Sequence, residues 1–437
     1  MVKVPESVDR MKLEKSENVM KRVYDMRRLR LAWQQVRDNA GAAGIDKMTV
    51  EAFSEREQEL LLLIHEKLKA GDYRFKPAKR VLIPKPGSTK MRKLGIPTVM
   101  DRVVSQSINS VFEEIFDCDF TPSNFGFRRG KSRHRAMGHA RQAVIDGHEW
   151  CASIDLQSFF DEIPHDLILK LIRQKIRDEQ LVTLIARALK AGVMVDGVFE
   201  KTTKGCPQGS PLSPRISNIV LNELDHEIEN RGLRYCRWAD DFLIFTKSER
   251  AAKRILESIS RYLEEELKLP VNREKSEAAR VKSVEFLGFG IHCGKIRVSM
   301  TARTKFKNKV RELTKRNNPR SMYEIIQELN KYLGGWISYY RVQEFRELFG
   351  DLDGWIRSRL RSMQLKKWKN PRKFQRMLIL AGFFPDKARK VWVRMRNWQS
   401  VTRPEVRFAM SNKWFRQKRL IFLEDYLPRN LEFKLNR

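Results

Sequence analysis

Three aspartates stand where the neighbouring residues call for apolar side chains. Asp240 and Asp241 separate two hydrophobic stretches, RYCRWA and FLIF, and Asp155 ends the apolar run CASID just ahead of Phe159 and Phe160. Adjacent aspartates on their own usually mark a solvated turn. Between buried strands, each ionised carboxylate costs several kcal/mol unless something compensates its charge. A divalent cation is the usual compensation, since hard Mg²⁺ prefers carboxylate and phosphate oxygens. Three strand-borne acids of this kind could hold two metals that bridge the phosphates of a nucleotide.

The elements that must position these acids can be read from the apolar spacing. Residues 152–156 form a short buried strand and 161–170 begin a helix. Pro207-Gln-Gly-Ser210 is a turn, followed by Leu212, Ile216, Val220, Leu224 and Ile228 at the four-residue spacing of a core-facing helix. The segments 235–238 and 242–245 are strands flanking Asp240-Asp241, a helix carries Ile255, Leu256, Ile259, Leu263 and Leu267, and 283–291 reads as a strand kinked at Gly288 and Gly290. Upstream, the first 40 residues read as helix, broken by Asn39-Ala-Gly-Ala-Ala-Gly44, and 103–116 is an amphipathic helix. Strands and helices alternate irregularly, which predicts an α+β fold and not a doubly wound sheet. Past residue 300 helices predominate, punctuated by Pro371, Pro385 and Pro404.

The blocks around the acids resemble reverse transcriptase motifs, and they occur in the family's order. SIDLQSFFD resembles the A motif, and WADD stands where the C motif usually has Tyr-Ala-Asp-Asp. IPKPGSTKMRKLGIPTVMDRVVSQ is similar to the fingers motifs and SNFGFRRGKS to the block after them. KGCPQGSPLSPRISN, LPVNREKS and VEFLGF resemble the B, D and E motifs. The wording is nearest to the group II intron-encoded class, and LNKYLGGWISYYR at 329–341 resembles the hallmark of that class's maturase domain. The resemblance implies a right-hand polymerase fold. Its parts would be an N-terminal helical extension (1–40), fingers and palm (41–300), a mainly helical thumb or maturase region (301–375) and a short basic DNA-binding segment (376–437). Because no cysteine-paired endonuclease follows, the chain resembles the compact subclass.

The resemblance also implies roles. Asp155 and Asp240 would ligate two catalytic Mg²⁺ ions, or Mn²⁺ in their place, with Asp241 as a weaker ligand. Lys85 and Arg92, each a plain solvated cation if taken alone, match the residues that hold the incoming triphosphate. Phe160 falls where the family has a steric gate against the ribose 2′ hydroxyl, with Phe159 beside it leaving a one-residue ambiguity. Gln208 would touch template or nucleotide, Gly209 would permit close backbone approach, and Lys275 matches the D-motif lysine. Trp238 replaces the usual Tyr near the primer terminus. Trp336, Tyr339, Tyr340 and Arg341, together with Gly334 and Gly335, match the maturase hallmark and would bind RNA.

Composition agrees with a polyanionic partner. The 437 residues include 87 Lys+Arg against 54 Asp+Glu, a net charge of +33. Residues 301–437 hold 34 basic and 12 acidic residues, a net +22, which leaves +11 for the part that carries the acids. Six of the nine tryptophans lie in that basic third, a mixture suited to phosphate contacts combined with base stacking. Five scattered cysteines with no CxxC pair indicate neither a disulfide framework nor a zinc module, and read as buried thiols. No run approaches a membrane span or a signal peptide, which predicts a cytoplasmic protein of bacterial type, with nucleoid association left open. The expected function is RNA-directed DNA polymerisation and intron maturation. Its partners would be intron RNA, an RNA template with a DNA primer, target DNA and dNTPs, with no membrane. The alternatives are a non-catalytic RNA-binding splicing factor and a domesticated polymerase in DNA repair or defence.

Overall fold

Leu29, Ala32, Trp33 and Val36 recur at helical spacing and bury one face of α1 (Met26–Asn39), whose first turn is capped by the Asp25 carboxylate accepting from the Arg28 N–H. The helix stops at Ala40, which adopts φ +51°. The structure, a computed structural model, describes residues 15–84, 91–368, 370–391 and 398–427. Two units divide it between Arg280 and Val281.

In the first unit, β1 (Ala78–Pro84) and β2 (Met91–Ile96) pair as an antiparallel hairpin. Thr98 caps the buried helix α2 (Val99–Phe116), where its side chain accepts from the Asp101 N–H. The strand β3 (Trp150–Ile154) precedes α3 (His165–Lys175). The helix expected from residue 161 starts later, because Pro164 closes a single turn over Phe159–Glu162 before α3 begins. A small hairpin, β4 (Val193–Val195) and β5 (Val198–Glu200), extends the first sheet to the order β2-β1-β4-β5. The predicted core helix is α4 (Ser213–Asn230), with Ile216, Val220, Leu224 and Ile228 all buried.

The acid-bearing strands are β6 (Arg234–Trp238) and β7 (Asp241–Thr246). They join β3 and β8 (Glu277–Arg280) in a four-stranded sheet of order β8-β3-β7-β6, antiparallel throughout. Helix α5 (Glu249–Glu265) packs on β3, β7 and β8. Ile154, Phe242, Ile244, Leu263 and Leu269 are all at most 2% exposed, so the sheet is a buried platform. With helices grouped against antiparallel sheets, the fold is α+β.

The second unit opens with the hairpin β9 (Phe289–His292) and β10 (Lys295–Val298) and continues with α6 (Met300–Leu313), α7 (Met322–Tyr340), α8 (Glu347–Trp368) and α9 (Pro371–Leu380). The single kinked strand expected over 283–291 is a reversal instead. Leu287 and Gly288 both take positive φ (+52° and +78°), and Phe286 and Phe289 exchange backbone hydrogen bonds across that two-residue turn. Ser321 and Glu324 form a reciprocal cap at the start of α7. Phe306, Leu329, Leu333, Phe349 and Leu360 build the core of this unit. Of the cysteines, Cys151, Cys206 and Cys236 are buried as expected, whereas Cys118 and Cys293 are exposed. No described helix is long and apolar enough to cross a membrane.

Trp33 is fully buried with its ring 4.2 Å from that of Phe53. Trp33→Ala is therefore expected to cost the first unit about 3–5 kcal/mol, measured by denaturant unfolding. A loss below ~1 kcal/mol would show that α1 is not part of this core.

Candidate active site

Strand register brings the acids together. In the antiparallel β3/β7 pair Ile154 faces Phe242, so Asp155, one residue past the end of β3, comes beside Asp241 at the head of β7. Trp238 pairs with Asp241 across a two-residue turn made of Ala239 and Asp240, and Ala239 adopts φ +58°. Residues 85 and 86 positions apart in sequence are thus brought to one end of the sheet.

Asp155 is held from the segment after α5. Its backbone N–H donates to Ser276 Oγ (3.0 Å), and the Asn272 side-chain amide donates to its Oδ2 (3.0 Å). The Asn272 N–H donates to the Asp155 carbonyl (2.8 Å), and Lys275 Nζ lies 3.5 Å from Oδ2. Asn272 and Ser276 went unnoticed in the sequence because a polar residue in a turn carries no anomaly; only their spacing from Lys275 could have pointed to them.

Electrostatics set the other two acids apart from ordinary surface carboxylates. Burial raises the Asp240 pKa, and Asp155 adds repulsion, while its own backbone N–H, Arg92 and Arg237 offset part of the rise. Asp241 keeps an accessible face, yet burial and then repulsion from Asp240 and Asp155 push it up to about 6 against the pull of Lys275. Carboxylates that repel one another in this way form a hard-oxygen site short of positive charge, which fits a divalent cation. Among the described residues, no three His, Cys, Asp or Glu side chains already converge closely enough to hold an ion unaided.

The acids line a cleft of about 1610 Å³, larger than the ~300–1,000 Å³ of small-molecule pockets. Its walls come from distant parts of the first unit: Asn39 to Ala42, the β2 residues Arg92 to Ile96, Phe160, Gln208, Gly209, Trp238 and Lys275. Arg92 is exposed on β2. Lys85 lies outside the described residues. Both members of the Phe pair border the cleft, but Phe159 is 2% exposed in the core and Phe160 is only partly buried. Gly209, at φ +122°, approaches Gly95 O so closely that a Cβ would overlap it, and the Gly95 N–H donates to the Gln208 carbonyl (2.7 Å). The close approach read from the sequence is thus made to strand β2. Trp238 is half-buried, with the Arg133 guanidinium 5.2 Å from its ring centroid.

The maturase hallmark divides. Trp336, expected to bind RNA, is 8% exposed and packs between Phe306 and Phe349, so it is a core residue of the second unit. Its position on the buried face of α7 is the reason: Leu329, Leu333, Trp336 and Ile337 share that face. The Tyr339 hydroxyl donates to Leu287 O (2.8 Å), Tyr340 covers Gly288, and Arg341 is exposed.

Two known families match consecutive stretches of the chain. Residues 83–291 match the family "Reverse transcriptase (RNA-dependent DNA polymerase)", and residues 303–379 match "Group II intron, maturase-specific domain". Protein YkfC of Escherichia coli K12 is 32% identical over 279 residues, covering 55% of this chain and 72% of YkfC. The chain belongs to the group II intron type of reverse transcriptase. The group II intron-encoded protein LtrA of Lactococcus lactis is 29% identical over 350 residues, 65% of this chain but only 57% of LtrA. A solved apo telomerase from Candida tropicalis aligns with a TM-score of 0.41 at 14% identity, over 59% of this chain and 63% of that one. The reverse transcriptase is, by family, an RNA-directed DNA polymerase.

One consequence concerns the metal-free reverse transcriptase. A carboxyl whose folded pKa is raised stabilises the fold below its unfolded pKa, and that contribution disappears as pH rises through the folded value. For Asp241 the window runs from about 4 to about 6. Asp241→Asn is therefore expected to raise the melting temperature in EDTA at pH 7–8, with the gain vanishing near pH 4. A gain of equal size at every pH would contradict the raised pKa.

Proposed function

We propose that this reverse transcriptase copies RNA into DNA by nucleotidyl transfer at the Asp155–Asp240–Asp241 site, and that it serves as the maturase of its intron RNA. The observation that carries this reading is that β3/β7 register and the Ala239-Asp240 turn bring the three acids to one end of the sheet, in a cleft also lined by Arg92 and the Gln208-Gly209 turn. Asp155 and Asp240, assisted by Asp241, would hold two Mg²⁺ ions. Bound there, the ions supply the charge that acidifies the primer 3′ hydroxyl and neutralises the leaving pyrophosphate.

The protein's own residues do the rest. Arg92, with Lys85, binds the triphosphate of the incoming dNTP. Lys275, 3.5 Å from Asp155 Oδ2, stands ready to deliver a proton to pyrophosphate. Phe160 closes the space that a 2′ hydroxyl would need, Gln208 contacts the template or nucleotide, and Trp238 borders the primer end. Exposed cations of the second unit, among them Lys305, Lys315, Arg372, Lys373 and Lys387, together with Arg341, give it a surface for intron RNA. Assignment of 41–300 to fingers and palm, 301–375 to the thumb and 376–437 to target DNA completes the reading, with retrohoming as its biological outcome.

Purified protein is expected to extend a DNA primer on an RNA template with Mg²⁺. Asp240→Ala should abolish extension, by at least ~10³-fold, while RNA affinity stays within about threefold and falls steeply with log[salt] in both forms. Full extension by the variant sinks the catalytic assignment, and a flat salt response sinks the phosphate-binding one. Phe160→Ala should admit ribonucleotides, narrowing dNTP-over-rNTP discrimination by about 10- to 100-fold in kcat/KM. Unchanged discrimination would remove Phe160 as the gate.

A further inference from the structure

Arg237 is a full cation inside an apolar strand. It is completely buried, as is its partner Asp225 on α4. Isolated charges do not survive there, so the geometry around the pair indicates its use. The guanidinium takes Asp225 in a two-point grip, Nε donating to Oδ1 (2.7 Å) and Nη2 to Oδ2. Its remaining nitrogen, Nη1, donates to Asn218 Oδ1 (3.1 Å) and to the carbonyl of Ala239 (3.0 Å). Ala239 is the positive-φ residue that turns the chain into Asp240. A non-glycine residue holds such a backbone only where its surroundings impose it.

Those surroundings close from both sides. The Asn218 amide donates to Gly126 O (2.7 Å), and Gly126 lies so near Ala239 N that a Cβ there would overlap it. The Arg237 backbone is pinned in the same place, its N–H donating to Ser123 O (3.0 Å) and its carbonyl accepting from the Phe125 N–H (2.9 Å). Four of the five guanidinium N–H groups are thus spent on α4 or on the turn, and Arg237 does not line the cleft. Lysine, with a point charge and no planar fork, could not make the Asp225 grip and reach the Ala239 carbonyl together.

We propose that Arg237, locked by Asp225 and Asn218, is the positioning residue that fixes the Ala239 turn and thereby presents Asp240 and Asp241 to divalent metal. The proposal rests on the metal-site reading above. Its role resembles that of the outer-shell groups that orient metal ligands in other enzymes, where substitution weakens metal affinity about 10- to 100-fold.

The test uses Arg237→Lys and, in case that variant fails to fold, the double variant Arg237→Met/Asp225→Leu, which leaves no charge unpaired. Mn²⁺ binding to the free protein is followed by the EPR signal of the free ion, with Asp240→Ala as the blank. Primer extension then gives kcat and the KM for dNTP below the melting temperature of each variant. About tenfold weaker Mn²⁺ affinity and a similar fall in kcat, with KM within about threefold, are expected. Wild-type Mn²⁺ affinity in a folded variant overturns the proposal, whatever happens to kcat or melting temperature, because a merely structural pair would lower stability alone. Wild-type protein that binds no more Mn²⁺ than Asp240→Ala would remove the metal reading and this proposal with it, whereas equal affinity in wild type and variant removes only this one.

Discussion

Carboxylates crowded at the end of a buried sheet are the constraint around which the first unit is built. Burial and mutual repulsion both oppose the charge of Asp240 and Asp241, so the acids persist only if the backbone beneath them cannot relax. The antiparallel order β8-β3-β7-β6 supplies that rigidity, with α5 covering its strands. A loop-borne site would let the acids drift apart; strand ends in register do not. The same constraint explains why the neighbours of the acids are polar groups with fixed directions, Asn272 and Ser276 on Asp155 and Arg237 beneath Ala239.

Charge is arranged around this arrangement. The first 300 residues carry a net +11 and the remainder +22, yet the basic excess is not all available to nucleic acid. Arg359 donates to the carbonyl and hydroxyl of Thr314 at the C-terminal end of α6, where a cation is favoured by the helix dipole. Arg361 is buried, donates twice to the Met410 carbonyl and stacks toward Phe415. Arg357 lies over Phe422. Part of a strongly basic composition therefore holds the second unit together, and the exposed lysines and arginines on α6 and α9 carry the surface share.

Much of the site was legible because its residues violate local pattern. Asp155, Asp240 and Asp241 stand out as acids in apolar strands, whereas Arg237, a cation inside RYCRWA with a comparable signal, was not singled out from the sequence, nor was its partner Asp225. Core helices such as α4 followed from apolar spacing alone. Misreadings came where two elements or two uses share one local signature. Trp336 has the aromatic character of a stacking platform, but its spacing with Leu329 and Leu333 is that of a helix core. Leu287-Gly288 looked like a kink within a strand, and positive φ at both residues makes it a reversal. The start of α3 was misplaced because the pause at Pro164 interrupts a continuous helical pattern.

What the sequence determined by itself was the local pattern: acids set in apolar strands, the order of motifs, the α+β character and a strong basic excess. Those follow from residue type and short-range spacing, which act over a few positions of the chain. Only the tertiary structure decided which polar groups hold the acids, that Phe159 is packed into the core while Phe160 stays partly exposed beside the same cleft, and that Gly209 yields to strand β2. Such choices depend on contacts between residues far apart in sequence, where strand register and helix packing, invisible to any local pattern, set which side chains meet.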